Sequence, residues 1–227
     1  ARHRAGVPAQ PYVEGDAERN DLLRRSELDR YIFFLGRHPG RMVDATVSAT
    51  DQVGGAALDL RITESNPLLF YVQLGNTGTA ETDYMRYRAG LMHTQLSEHD
   101  DILSVDFETN LDDVHSLFGS YERPFANERW RWGVSASWSD YTASDVGAFG
   151  DDFTGDSFSI SGQAIWNFYQ DHDLFLEFVF GARIDDLDVN NPGFGISGSG
   201  EFFTPYAGVR IDHTGEWHST QGSVLLD

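Results

Sequence analysis

From Pro67 to its end the chain is a succession of strict two-residue alternations. The clearest sets Phe158, Ile160, Gly162, Ala164, Trp166 and Phe168 against Ser157, Ser159, Ser161, Gln163 and Asn167. Successive side chains of a strand leave on opposite faces, so such a run has one oily face and one wet face. The run lasts about 12 residues, whereas globular strands average about 5–6 and a membrane-crossing strand needs about 9–11. Length and period together predict strands that cross a bilayer.

The pattern repeats with turn chemistry between the copies. Phe70, Val72 and Leu74 alternate with Tyr71, Gln73 and Gly75, and Leu103, Val105 and Phe107 with Ser104, Asp106 and Glu108. Trp132, Val134, Ala136 and Trp138 alternate with Arg131, Gly133, Ser135, Ser137 and Ser139. Leu174, Leu176, Phe178, Phe180, Ala182 and Ile184 alternate with Glu177, Gly181, Arg183 and Asp185. Weaker copies lie at 84–92, 114–121, 202–212 and 217–226. About nine strands result, with the spacing of an antiparallel transmembrane β-barrel or the first half of one. The face opposite the oily one supplies lumen-lining candidates of mixed charge: Arg131, Gln163, Asn167, Glu177, Arg183, Arg210 and Asp212.

Composition narrows the choice further. A net charge of −20 excludes a nucleic-acid binder, which needs a basic face to displace counterions. No run of 18 apolar residues exists, so no transmembrane helix is expected. A mean hydropathy of −0.39 is compatible with a barrel, because half of each strand faces a polar lumen. Without cysteine, neither a disulfide nor a thiolate metal site can form. The acidic stretches 145–156 and 185–191 read as solvated extracellular loops rather than calcium loops, since they lack a calcium-motif spacing. The eight histidines form no ligand pattern, and Gly195–Gly200 reads as a flexible turn rather than a nucleophile elbow. No catalytic residue, metal or cofactor is expected, and no enzyme activity. Tyr84, Tyr121, Trp130, Trp132, Trp138, Tyr141, Trp166, Tyr169 and Tyr206 read as interfacial girdles.

Residues 1–65 follow a different grammar. Asp16–Leu35 has helical spacing, with Leu22, Leu28, Tyr31, Ile32 and Leu35 on one stripe, and Pro39-Gly40 stops it. Two short strands follow, carrying Val43, Ala45, Val47 and then Leu58, Leu60, Ile62 inward, joined by a turn over 51–55. The division is a small α+β module over 1–65 and barrel strands over 66–227. An open edge cannot face lipid, because unpaired amides there cost several kcal/mol each. Further strands past Asp227, or another chain, are therefore expected to close the sheet.

The stretch Ser26-Glu-Leu-Asp-Arg30, Pro39-Gly-Arg41 and Leu58-Asp-Leu-Arg-Ile-Thr-Glu64 resembles the second half of a polypeptide-transport-associated (POTRA) domain. It leads into Tyr71-Val-Gln-Leu-Gly-Asn-Thr-Gly-Thr79, Asp100-Asp-Ile-Leu-Ser104 and Gly119-Ser-Tyr-Glu-Arg-Pro124. That order is similar to the outer-membrane transporters of two-partner secretion, the haemolysin secretion/activation type, which are relatives of BamA. The resemblance covers nearly the whole chain from Pro11. It implies a barrel in the outer membrane of a Gram-negative-type bacterium, a periplasmic POTRA module, and export of a secreted partner polypeptide without nucleotide hydrolysis. It further implies client capture by β-augmentation on the edge strand Met42–Ala49, where Val43, Ala45 and Val47 pack on the helix and the backbone stays free. The family's Arg-Gly-Tyr/Phe loop motif and Phe-x-Asp-x-Gly strand motif are not found, and both are expected beyond Asp227. Two alternatives stay open: a barrel-assembly factor or passive pore, and a soluble all-β binding domain.

Overall fold

The computed structural model describes residues 24–49, 51, 56–125, 127–146, 151–191, 193–214 and 219–226. Helix α1 (Arg25–Gly36) packs on an antiparallel pair, β1 (Arg41–Ala49) and β2 (Ala56–Glu64). Leu28, Tyr31 and Leu35 fall on one stripe of α1 and are buried, as helical spacing dictates. Residues 16–23, including Leu22, lie outside the described residues. The helix ends at Gly36, and the turn into β1 uses Gly40, after Pro39, at φ +79°, a conformation that any side chain would strain.

The rest of the described chain is a single nine-stranded antiparallel sheet in sequence order. It comprises β3 (Leu68–Gly75), β4 (Arg86–His93), β5 (Ile102–Thr109), β6 (Val114–Phe125), β7 (Asn127–Val146), β8 (Asp151–Asp171), β9 (Leu174–Asn191), β10 (Ile196–Thr214) and β11 (Ser219–Leu226). The count equals the number of alternating segments read from the sequence. Every connection is a hairpin, so register decides which side chains share a face.

That register gives the sheet one mainly apolar and one mainly polar face. One transverse row on the first face runs Phe107–Leu117–Trp138–Phe158, and another Ala136–Ile160–Ile184–Phe203. Phe70, Val72 and Leu74 are 64–65 % exposed there, a concentration of bare apolar surface that water does not favour. The opposite face carries Ser104–Ser120–Ser135–Ser161–Arg183–Thr204 in one row and Asp106–Phe118–Ser137–Ser159–Asp185 in the next. The Oγ atoms of Ser135 and Ser161, and those of Ser139 and Ser157, lie 2.8 Å apart. No helix of the described chain is long and apolar enough to cross a membrane.

Three cross-strand tyrosine–glycine pairs sit on the polar face: Tyr71 with Gly90, Tyr141 with Gly155, and Tyr206 with Gly181. Each ring lies over its glycine where a Cβ would stand, so the glycine's role is space rather than backbone freedom. This corrects the girdle reading for Tyr141 and Tyr206, whose parity turns them inward. The acidic stretches are also not loops. Residues 151–156 belong to β8 and 185–191 to β9, because β7 to β10 run past the apolar zone as a ladder of 18 to 21 residues per strand. Residues 147–150 lie outside the described residues. Ser197–Gly200 likewise belong to β10 rather than to a turn.

Candidate functional site

The α1 module sits against one end of the polar face, and an ion-pair cluster joins the two. Arg37, at the C-terminal cap of α1, reaches Glu177 of β9 with Nη1 at 2.6 Å from Oε1, and Asp212 of β10 at 3.3 Å. Its guanidinium also stacks on the Phe175 ring, 4.3 Å from the centroid. Glu177 accepts a second pair of bonds from Arg131 Nη2 at 2.8 and 2.9 Å, and Arg210 lies 4.0 Å away. Arg131 in turn meets Glu122 at 3.1 Å. Glu177 is fully buried. A carboxylate without water needs this many donors, since an uncompensated buried charge costs several kcal/mol.

A second contact lies beside the first. Arg41 donates to Asp100 in the β4–β5 turn, with Nη1 to Oδ2 at 3.1 Å, and to Glu64 at 3.0 Å. Gln95 of the same turn bonds Glu64 at 2.8 Å, and Gln170 bonds the Arg30 carbonyl at 3.0 Å. Burial works against the charged forms of Arg37 and Arg41, yet their carboxylate partners outweigh it and hold both guanidinium groups above their ordinary range. His38 between them behaves oppositely. Burial lowers its pKa below 6.5, and its Nε2 has no hydrogen-bond partner among the described residues. Between module and sheet Arg37, His38, Arg41, Asp100 and Glu177 line a cavity of about 500 Å³.

All seven lumen candidates of the sequence lie on the polar face, Asp212 as the partner of Arg37. Arg131, Asn167, Glu177 and Arg210 surround the cavity. Gln163 and Arg183 lie further along the face, in the rows above. Val43, Ala45 and Val47 of β1 stand apart from this cluster, opposite Ile62, Leu60 and Leu58 of β2; Val43 and Ala45 are half-buried and Val47 is 50 % exposed. Among the described residues the other edge of β1 is unpaired. Sequence reading alone missed Arg37, Arg41, Asp100 and Glu122. The one available signal was the arginine in the last turn before Pro39-Gly40, and any helix C-terminus attracts a cation. Among the described residues no group of acidic or histidine side chains could hold a metal.

An antiparallel sheet of long hairpins, apolar on one face and polar on the other, with a helix–hairpin module at one end, defines an outer-membrane-type β-barrel protein. The model of the family "Haemolysin secretion/activation protein ShlB/FhaC/HecB" matches residues 54–181, more than half of the chain, and the chain belongs to that family. Among solved structures it is similar to CdiB from Escherichia coli, with TM-score 0.66 and 15 % identity over 82 % of this chain and 36 % of that one. It is similar to CdiB from Acinetobacter baumannii with TM-score 0.65 and 17 % identity, over 98 % of this chain and 45 % of that one. BamA from Haemophilus ducreyi lacking POTRA domains 1–3 superposes with TM-score 0.55 at 15 % identity, over 88 % and 40 %. The chain thus spans less than half the length of each of these structures. No curated protein matches it.

Proposed function

We propose that this chain contributes nine strands and a periplasmic POTRA-like module to an outer-membrane pore that exports a secreted partner polypeptide. The observation that carries this reading is the opposition of faces held in register across the whole sheet. Lipid covers Phe70, Val105, Val134, Ile160 and Val209, while Arg131, Gln163, Asn167, Glu177, Arg183 and Arg210 line a wet lumen. The edge strands β3 and β11 pair on one side only among the described residues. Closure therefore draws on further strands or a further chain, since lipid tolerates no open edge. Domain organisation follows the same line, with module 1–65 in the periplasm and strands from 66 onward in the membrane.

The module receives the unfolded client as an added strand on β1, where Val43, Ala45 and Val47 shape the supporting face and the free backbone edge binds. The work is binding and guidance, with no bond made or broken and no cofactor used. The test is secretion of the partner polypeptide from cells expressing the complete transporter. Proline placed at Asp44 and at Ala45, one at a time, reaches whichever amide faces the free edge. One of the two is expected to abolish secretion while the barrel still migrates as a heat-modifiable band. Full secretion from both variants rejects client capture on β1. A chain that never becomes heat-modifiable in detergent rejects the barrel.

A further inference from the structure

The sixteen basic residues of this chain are all arginines, and their distribution over the sheet is one-sided. Arg86, Arg88, Arg131, Arg183 and Arg210 share the polar face by register. Among the described residues Arg123 is the one arginine on the apolar face. It lies on β6 opposite Trp132, between Tyr121 and Phe125. Beside it on the same face stands a group of aromatic rings: Tyr121 and Trp132 have centroids 5.5 Å apart, Phe125 and Trp130 6.1 Å, and Trp130 and Trp166 5.8 Å. Its neighbour along the strand, Glu122, is committed to Arg131 on the other face at 3.1 Å. Asp101, at the foot of β5, is buried and accepts from the Ser97 amide at 3.0 and 3.1 Å. No carboxylate or aromatic face among the described residues engages Arg123 itself. Asp140, Asp156, Asp186, Asp188 and Glu201, on the apolar face, lie at the far end of the strands, and Asp171, at the β8–β9 turn, is bonded to His172.

An unpaired guanidinium on a lipid-facing surface is tolerated where its stem lies along apolar side chains and its head reaches the headgroup level. Its planar fork matches a phosphate diester better than any neutral headgroup. We propose that Arg123 anchors the phosphate of an anionic phospholipid at the aromatic belt on the module's side of the sheet. The assignment rests on the barrel reading above, which makes that side the periplasmic leaflet. The site gives the barrel a fixed depth and a preferred lipid on the flank formed by β6 and β7.

Quenching of the belt tryptophans tests this with the complete transporter folded into vesicles. Brominated phosphatidylglycerol is expected to quench the wild type at several-fold lower mole fraction than brominated phosphatidylcholine. R123Q should remove that preference, R123K should keep part of it, and both should leave heat-modifiable migration unchanged. Equal quenching of the wild type by the two lipids overturns the anchor, and so does a preference that survives in R123Q. Loss of the preference when inorganic phosphate is added at millimolar concentration also overturns it, because free phosphate would then suffice. Absence of quenching by either lipid, together with no heat-modifiable band, overturns the barrel reading and the anchor with it.

Discussion

Arg37 and Glu177, 140 residues apart in sequence, are joined by a 2.6 Å hydrogen bond that carries the α1 module onto the polar face of the sheet. The bond ends in a carboxylate already held by Arg131, so the module completes a charge cluster whose other members belong to the sheet. Replacing Glu177 by Ala leaves three arginines converging with one acid fewer, and is expected to cost about 3–5 kcal/mol. R37A leaves Glu177 with Arg131 and should cost less, about 1.5–3 kcal/mol. Urea unfolding followed by loss of the heat-modifiable band measures both. An R37A effect equal to that of E177A would show that Arg131 does not share the carboxylate.

Acidification should loosen the same junction. Burial holds His38 neutral in the folded protein at pH values where the unfolded chain is protonated, and Arg41 nearby adds to this against the opposing Asp100 and Glu64. The unfolded state binds more protons, so stability rises with pH between the lowered folded value and 6.5 and is flat above. Protease protection of residues 24–64 is expected to fall as pH drops through this window. In H38Q that part of the slope should vanish. An unchanged slope assigns the titration to another group.

Neighbouring residues on β8 should respond oppositely to the same substitution. Ile160 is 47 % exposed on the apolar face, and Ser161 turns to the polar face against Ser135. I160R is expected to cost about 2–4 kcal/mol at mid-membrane depth, whereas S161R should be tolerated. Folding yield into vesicles distinguishes them. Equal damage from both would mean that a second protein layer, not lipid, covers the apolar face.

The tyrosine–glycine pairs predict a steric effect of a single methyl group. A Cβ at Gly155 would lie 2.7 Å from the Tyr141 ring, and one at Gly181 would lie 2.8 Å from the Tyr206 ring and also meet the Gly162 carbonyl. G181A should therefore destabilise by about 1–3 kcal/mol, as overpacking does. In G155A the ring can swing away from the sheet, so the cost should be smaller. Gly119 and Gly162 have open space at the same position, and G119A should be neutral in the same unfolding measurement.

The two-residue period was enough to read nine strands, their order and the two faces, because a hairpin sheet in sequence order has its faces set by local alternation alone. It was enough to place Arg131, Gln163, Asn167, Glu177, Arg183 and Arg210 on one side, since parity is a property of each strand. Strand ends were less legible. The acidic stretches 151–156 and 185–191 lack the oily half of the pattern, yet they stay in strands because the hydrogen-bond ladder continues beyond the apolar zone. Tyr141 and Tyr206 look like girdle residues until register sets each against a glycine.

What tertiary structure alone decided is the meeting of Arg37 and Arg41 with Glu177, Asp212 and Asp100. Nothing periodic links the end of a helix to two strands more than a hundred residues later, and any helix C-terminus tolerates an arginine for its own electrostatic reasons. Only the docking of the module brings these charges within hydrogen-bond distance, where exclusion of water turns an ordinary surface cation into the partner of a buried carboxylate.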